Sequence, residues 1–383
     1  MTRVAFFALL PGLAVGGALG LPVVLCLAGA LSLQPSVLRQ VLEKRPIAIL
    51  LLLAFTVWAG ASLAWTAYPQ SQQPLKLAAL IPLGLLFAAA AARGENQGWT
   101  QAGGLAAAAV LIPLLAVEAI WGLPLNRAAQ PDESLSQLLQ NTSRGITVLI
   151  VLAWAAAAGL IAHGGGARVN AARLLLAGVA LLSLQTDQLA SPVAFGFGLA
   201  AFLLAFAAPR FAILATSVGV AGWLLAAPFA TPLLLANQSL IDRLPDSWAI
   251  RVGMWDYVCA KIWESPWIGH GIDASRAVTD RLAIREYDIR AVQLHPHSGS
   301  LQIWYELGFV GAALGALAIL FGGWSLARLF AHNRAGAAAA AGTIAAAGVI
   351  ANVSYGVWQE WWIATLFVAA ALVGALGVRD ARA

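Results

Sequence analysis

The feature that most constrains the fold is a series of apolar segments that recurs along almost the whole chain. A helix that crosses the apolar core of a bilayer needs about 20 residues. On that measure the sequence predicts about twelve spanning helices, at positions 4–18, 19–33, 47–65, 74–93, 101–122, 144–163, 171–186, 189–208, 210–233, 300–328, 335–355 and 359–378. The first two are short and compatible with tilted or re-entrant helices. Because the first apolar stretch continues to about Leu33, we expect an uncleaved membrane helix there rather than a signal peptide.

Composition supports the same fold class. Of the 383 residues, 61% are hydrophobic and only 10% are charged, and a water-soluble domain of this length could not bury so much apolar surface. We therefore predict an all-α polytopic membrane protein, with 1–383 forming a single transmembrane domain in a lipid bilayer. The formal net charge is +5, but the basic residues are scattered, so we expect no nucleic-acid partner. Cys26 and Cys259 lie in unlike segments, so no disulfide and no metal site is predicted.

The distribution of Lys and Arg over the short loops predicts the orientation in the membrane. With the N-terminus in the cytoplasm, the short outer loops carry only Lys76, Arg127 and Arg144. The inner set is Arg3, Arg39, Lys44, Arg45, Arg93, Arg168, Arg173, Arg210, Arg328, Arg334, Arg379 and Arg382. We therefore expect both termini to be cytoplasmic.

One long polar loop, 234–299, falls on the outer side. Long ordered loops beside a helical bundle are usually functional. Within it, the stretch 246–264 is predicted to be an amphipathic helix that lies in the outer membrane–water interface. The residues that recur on its apolar face are Trp248, Val252, Trp255, Cys259 and Ile262.

Two histidines, His295 and His297, end this loop directly before the apolar run 300–328. Histidine is a natural candidate for a general base, since its ordinary pKa is about 6.5. Glu306 follows inside the apolar run, where an acid is costly and therefore suggests function. The alternatives are histidines that solvate a helix start and a glutamate that makes a helix-packing hydrogen bond.

The residues that follow His297 form a recognisable pattern. His297 and Ser298 are followed after nine residues by Gly308 and then by Gly311, which reads H-S-x9-G-x-x-G. With the many-helix layout and the late outer loop, this pattern resembles the O-antigen ligase superfamily. That superfamily contains O-antigen ligases, O-antigen polymerases and some protein O-oligosaccharyltransferases. The tight motif covers only a short stretch, whereas the topological resemblance covers most of the chain.

The resemblance implies a glycosyltransferase of the bacterial inner membrane whose active site faces the periplasm. It implies transfer of a glycan from undecaprenyl diphosphate to an acceptor hydroxyl, with inversion and with neither metal nor cofactor. The acceptor is a lipid A–core sugar in a ligase and another lipid-linked glycan in a polymerase. Both stay open, and the H-S form of the motif favours the ligase.

The resemblance also assigns roles to single residues. His297 occupies the position of the base. Without a metal the diphosphate requires arginine or lysine, and arginine can bind two phosphate oxygens at once. Arg144 resembles the family's arginine at the start of a mid-chain helix. Arg251 matches a loop pattern R-x3-W…P-x-x-G-x-G, whose other members here are Trp255, Pro266, Gly269 and Gly271.

Other interpretations of these residues stay open. Arg144 is also typical of an interface residue that snorkels to the lipid headgroups, and Arg251 of a solvated helix face. His295, Glu306 and Arg290 are the expected supporting residues, with His295 orienting the base or binding the acceptor.

Two further classes of protein compete with a transferase. A transporter of a lipid-linked or anionic solute predicts charges deep in several helices and broken helices at the midplane. Here the acids and arginines gather at the predicted outer ends, apart from Glu306. A structural membrane subunit would need no His and Arg set at all.

Overall fold

The computed structural model describes residues 2–44, 47–94, 96–185 and 189–377. The helices are α1 (Thr2–Val15), α2 (Leu21–Leu31), α3 (Pro35–Lys44), α4 (Ile47–Ala61), α5 (Gln73–Ala91), α6 (Asn96–Ile120), α7 (Pro124–Ala129), α8 (Leu135–Ala162), α9 (Gly166–Ser183), α10 (Ala190–Ala207), α11 (Pro209–Leu235), α12 (Gln238–Ile241), α13 (Asp246–Ile262), α14 (Gly299–Leu329), α15 (Arg334–Val353) and α16 (Glu360–Ala375). Strands β1 (Arg281–Ile284) and β2 (Tyr287–Arg290) form an antiparallel hairpin. Single 3-10 turns cover Ser62–Ala64 and Ala274–Ala277.

The predicted class, an all-helical polytopic membrane protein, is confirmed. Within the described ranges, nine helices are long and apolar enough to cross a membrane, namely α4 with its 3-10 turn, α5, α6, α8, α9, α10, α11, α14 and α15. Three shorter apolar helices, α1, α2 and α16, account for the remaining predicted segments. Arg45, Arg379 and Arg382 of the predicted inner set lie outside the described residues, as does the end of the segment 359–378.

Helix α8 begins nine residues before the predicted segment 144–163. The Ser134 hydroxyl caps it by accepting from the Gln137 amide at 3.3 Å. The first turns are polar and largely exposed, and continuous burial begins at Asn141, whose Nδ2 donates to Asn126 Oδ1 and to Gln130 Oε1 at 3.3 and 3.2 Å. Arg144 therefore lies in the third turn of α8 and not at its start.

The middle of α8 is buried on all sides, as expected for a helix that is apolar all round. Trp154 lies between Gly198 of α10 and Gly342 of α15. A Cβ atom at these glycines would stand 2.4 and 3.0 Å from the indole ring. The alanine-rich α15 thus packs closely through small residues.

The loop helix α13 occurs where the sequence predicts it, but its apolar face points elsewhere. Val252, Cys259 and Ile262 are buried, and α13 packs against α11 and α14. The well-exposed tryptophans of the large loop, which we define as 236–298, are Trp263 and Trp267 just after α13. The predicted membrane-facing surface of α13 is therefore largely a protein-facing one.

The conspicuous glycines of both sequence motifs join the large loop to a break in α14. Gly308 has φ 65° and ψ −166°, which interrupts the helix. The amides of His270 and Gly271 donate to the carbonyls of Tyr305 and Glu306 at 2.9 and 2.8 Å, and the Phe309 amide donates to the Pro266 carbonyl at 2.8 Å. The loop segment 266–271 thus satisfies backbone groups that the break releases.

The two backbones approach so closely that only glycine fits. A Cβ on Gly269 would lie 2.4 Å from the carbonyl carbon of Glu306, and one on Gly308 would lie 2.4 Å from that of Trp267. Both glycines also have positive φ, which side chains disfavour. We refer to this contact as the glycine lock.

We predict that Gly308→Ala lowers the free energy of unfolding by more than about 2 kcal/mol, because the clash is with backbone and the φ is strained. Thermal unfolding in detergent measures the effect. The matched control is Gly219→Ala in α11, where a Cβ meets nothing within 4 Å. Equal melting temperatures for the two variants would contradict the glycine lock.

Candidate active site

The predicted base and both predicted arginines meet around one short connection, the loop 354–359 between α15 and α16. His295 and His297 approach it from the end of the large loop, Arg251 from α13 and Arg144 from α8. The structure therefore brings together residues that are far apart in the sequence.

His297 is held in one tautomer by the loop 354–359. Its Nδ1 lies 2.6 Å from the Ser354 carbonyl oxygen. Since a carbonyl can only accept, Nδ1 carries the hydrogen and Nε2 carries the lone pair. The residue has a positive φ of 54°. This conformation costs energy for residues other than glycine, and residues that adopt it cluster at functional sites. His297 thus presents Nε2 as a single basic nitrogen.

The pKa of His297 is lowered to about 4, chiefly by burial; the hydrogen bond to Ser354 opposes this shift, and the charge of Arg251 adds to it. The ring is therefore neutral at physiological pH and able to accept a proton. This pKa is lower than the near-neutral value expected from the sequence. A bound anion would raise it, because negative charge favours the imidazolium.

His295 supports the turn on which His297 sits. The two rings are 4.4 Å apart, and His295 Nδ1 accepts from the His297 amide at 3.2 Å. The Nε2 of His295 lies 3.1 Å from the side-chain Nε2 of Gln359. Burial, followed by the charges of its neighbours, lowers the pKa of His295 well below its usual value. The contacts fit the orienting role.

Helix α13 positions Arg251 near the two histidines. Trp255 Nε1 donates to the Pro296 carbonyl at 2.7 Å, which docks the loop helix on the segment between the two histidines. Arg251 Nη1 donates to the Val353 carbonyl at 2.9 Å, and its Cζ lies 5.3 Å from the centre of the Trp248 ring. Its guanidinium is therefore fixed rather than solvated.

Arg144 is the most unusual residue of the site. It is only 9% exposed, and its single hydrogen bond among the described residues runs from Nη2 to Gln140 Oε1 at 2.9 Å. Nε and Nη1 are buried with no acceptor in this part of the chain, and no described carboxylate pairs with the guanidinium. A buried, uncompensated cation is costly, so the arrangement calls for an anion.

Tyr355 lies within the electrostatic reach of both arginines, and the sequence did not single it out. It is buried, its hydroxyl lies 3.2 Å from Thr147 Oγ1, and its ring meets Trp361 edge-on. The charges of Arg144 and Arg251 both act on its hydroxyl. The available signal was the aromatic stretch 355–362 between two apolar segments.

Two predicted supporting residues lie apart from the base. Glu306 is fully buried, accepts from the Asp273 amide at 2.9 Å, from Gln302 Nε2 at 3.2 Å and from Trp358 Nε1, and so ties three segments together. This is the packing role that the sequence left open, and among the described residues Glu306 makes no hydrogen bond to His297. Arg290 is exposed and donates to the Val278 carbonyl at 2.9 Å beside the hairpin.

An apolar cavity of about 360 Å³ has Gly299 and Ser300, which closely follow His297 in the chain, and Asn352, which closely precedes Ser354, among its lining residues. Its other walls come from α4, α5, α11, α14 and α16. The large apolar residues that line it include Phe55, Ile303, Trp358, Trp362 and Phe367. The cavity is suited to a hydrocarbon chain.

Both cysteines are free, Cys26 partly exposed and Cys259 buried. Over the ranges that the structure describes, no group of three or more His, Cys, Asp or Glu side chains is placed to hold a metal ion.

We predict that Arg251→Gln raises the pKa of His297, because the guanidinium charge disfavours the imidazolium. A pH titration of ¹⁵N-labelled histidines by NMR measures it, with His297→Gln to assign the resonance. In the unchanged protein, His297 should titrate near pH 4. Since this pKa lies below the ordinary value of about 6.5, the ring should cost stability as the pH falls from about 6.5 towards 4. Arg281→Gln, on the exposed hairpin, is the control, and equal titrations in both variants would refute the coupling.

Comparison with known proteins finds relatives that carry the name "Putative polysaccharide ligase". The chain is 29% identical to one from Rickettsia conorii over 230 residues, which cover 58% of this chain and 54% of the relative. It is 30% identical to those from Rickettsia typhi and Rickettsia prowazekii over 228 residues, 57% of this chain and 55% of each relative. The chain thus spans about half the length of the curated relatives it matches. No family model and no solved structure matches it. The names are consistent with an O-antigen ligase-like superfamily, as the sequence motif predicts.

Proposed function

We propose that this chain is an inner-membrane glycosyltransferase of the O-antigen ligase type. It moves a glycan from undecaprenyl diphosphate to an acceptor hydroxyl at the periplasmic face, without a metal. The observation that carries the proposal is the buried guanidinium of Arg144, whose Nε and Nη1 lack acceptors among the described residues. The names of the Rickettsia relatives support a polysaccharide ligase in general terms.

The arginines and the apolar cavity bind different parts of the donor. Arg144 and Arg251 offer N–H groups and positive charge to the diphosphate oxygens. The cavity beside Gly299 and Asn352 takes the first isoprene units of the lipid. The donor thereby places its anomeric carbon near the loop 354–359.

His297 then acts on the acceptor. Its Nε2 takes the proton of the acceptor hydroxyl while that oxygen bonds to the anomeric carbon. The bond from the anomeric carbon to the phosphate oxygen breaks, and its electron pair leaves on the diphosphate, where the two arginines stabilise the added charge. Attack opposite to the leaving group inverts the anomeric centre. Diphosphate is a good leaving group, so the step needs no general acid.

The proposed acceptor is a lipid A–core sugar. A polymerase of the same superfamily would use the same donor chemistry and a second lipid-linked glycan as the acceptor. Transfer to each acceptor in turn distinguishes the two.

A transporter is less well supported. It would use the break in α14 as an ion or solute site at mid-membrane. The carbonyls of Tyr305, Glu306 and Leu307 around that break already accept from His270, Gly271 and Trp58. The break therefore serves the attachment of the large loop.

The proposal predicts that His297→Ala lowers the rate of glycan transfer by about 100-fold or more, the usual contribution of a general base. The assay follows transfer from an undecaprenyl-diphosphate glycan to purified lipid A–core. His163→Ala is the matched control, because His163 caps the opposite end of α8. Wild-type transfer by His297→Ala would refute the assignment of the base.

Arg144→Ala should abolish transfer through loss of donor binding. Arg173→Ala, at an exposed position of α9, controls for loss of a membrane arginine.

EDTA should leave the rate of transfer unchanged. Inhibition by EDTA that added Mg²⁺ reverses would overturn the metal-free mechanism.

A further inference from the structure

A polar cleft, distinct from the apolar cavity, borders His295 and is lined by neither Arg144 nor Arg251. It has a volume of about 150 Å³, enough for a small ligand such as one sugar ring, and lies between the start of α5 and the large loop. Its polar walls are chiefly Gln73, Lys76, Asp273, Arg276, His295 and Gln359.

The cleft is built by contacts that fix both of its walls. The Ser71 hydroxyl donates to Asp273 Oδ2 at 2.7 Å and accepts from the Gln73 amide at 3.2 Å. The Asp273 amide in turn donates to Glu306. The start of α5 and the loop around Asp273 are therefore held in one arrangement beside His295.

Two cations of the cleft keep unused donors. Arg276 Nε donates to Asp273 Oδ1 at 3.2 Å, whereas its two Nη groups have no acceptor among the residues described. Lys76 pairs with Glu360 at 2.6 Å and stays half-exposed. Each ion pair can thus offer a donor and an acceptor side by side, which is what sugar hydroxyls require.

Gln73 supplies the observation that points to a ligand. Its side chain is only 5% exposed, and its Oε1 is buried without a hydrogen-bond donor within the described ranges. An orphaned buried amide oxygen costs about 1–3 kcal/mol, and native structures rarely keep one without a reason. A hydroxyl that entered the cleft would satisfy it.

We propose that this cleft is the acceptor subsite, which holds the sugar ring whose hydroxyl becomes glycosylated. The inference rests on the proposed glycosyltransferase function. The ring donates to Gln73 Oε1 and accepts from Arg276 and Lys76, with His295 at its inner edge. Because the His295 and His297 rings are 4.4 Å apart, a ring in the cleft can bring a hydroxyl towards His297 Nε2. Donor diphosphate and acceptor sugar then approach the base from separate sets of residues.

The test measures two binding constants on the full-length protein in nanodiscs. The donor probe is undecaprenyl diphosphate itself, and the acceptor probe is the core oligosaccharide released from lipid A–core by mild acid. Gln73→Leu and Arg276→Gln should each weaken binding of the oligosaccharide by about tenfold, the value of one lost hydrogen bond. Both should bind undecaprenyl diphosphate within twofold of the unchanged protein. Arg144→Gln should show the reverse pattern.

The matched controls are Gln72→Leu, on the exposed neighbour of Gln73, and Arg281→Gln, on the exposed hairpin. Neither should change either constant. Arg276→Lys, which keeps the charge, should lie between the unchanged protein and Arg276→Gln, and a normal melting temperature shows that each variant folds.

Three outcomes overturn the acceptor subsite: unchanged oligosaccharide binding in folded Gln73→Leu, loss of donor binding alone, or no oligosaccharide binding by the unchanged protein. Failure of the proposed function is recognised separately, because the unchanged protein would then not bind undecaprenyl diphosphate. In that case, loss of oligosaccharide binding in Gln73→Leu would still support the cleft as a sugar site.

Discussion

Where a helix of a membrane protein is interrupted, its unpaired backbone N–H and C=O groups need other hydrogen-bond partners. The attachment of the large loop, and with it the position of the histidines, depends on how α14 meets that requirement. The helix breaks at Gly308, and the segment 266–271 of the large loop supplies the missing hydrogen bonds. That contact anchors the loop just after α13. It thereby allows Trp255 to reach the Pro296 carbonyl and fixes the turn that carries His295 and His297.

The electrostatics around the loop 354–359 are dominated by positive charge. Two guanidinium groups act on the same buried tyrosine, and both histidines are kept neutral by burial and by neighbouring positive charge. No described carboxylate pairs with Arg144. In such surroundings an anion gains more than it would in water, because the donors are already oriented and the medium is apolar.

The sequence was sufficient to locate the apolar helices and to identify the residues of the two short motifs. All twelve apolar segments correspond to helices, and the residues from the two motifs, His297 and Arg251, lie at one site. It was insufficient where tertiary contacts override local pattern. The polar start of α8 is helical because Ser134 caps it and because Asn126 and Gln130 bind the Asn141 side chain. The tryptophan face of α13 turns towards protein because α11 and α14 offer an apolar surface. Tyr355 was missed because its partners, Thr147 and the two arginines, lie far away in sequence.

The glycine lock also has a consequence for how such chains diverge. Since Gly269 touches the backbone of Glu306 and Gly308 touches that of Trp267, the two segments can change only as a pair. A large loop grafted from a relative would stay hydrogen-bonded to the helical bundle only if residues 305–310 were exchanged together with it. The large loop is thus not a module that can be exchanged alone. Changes in the loop at this contact require matching changes in α14.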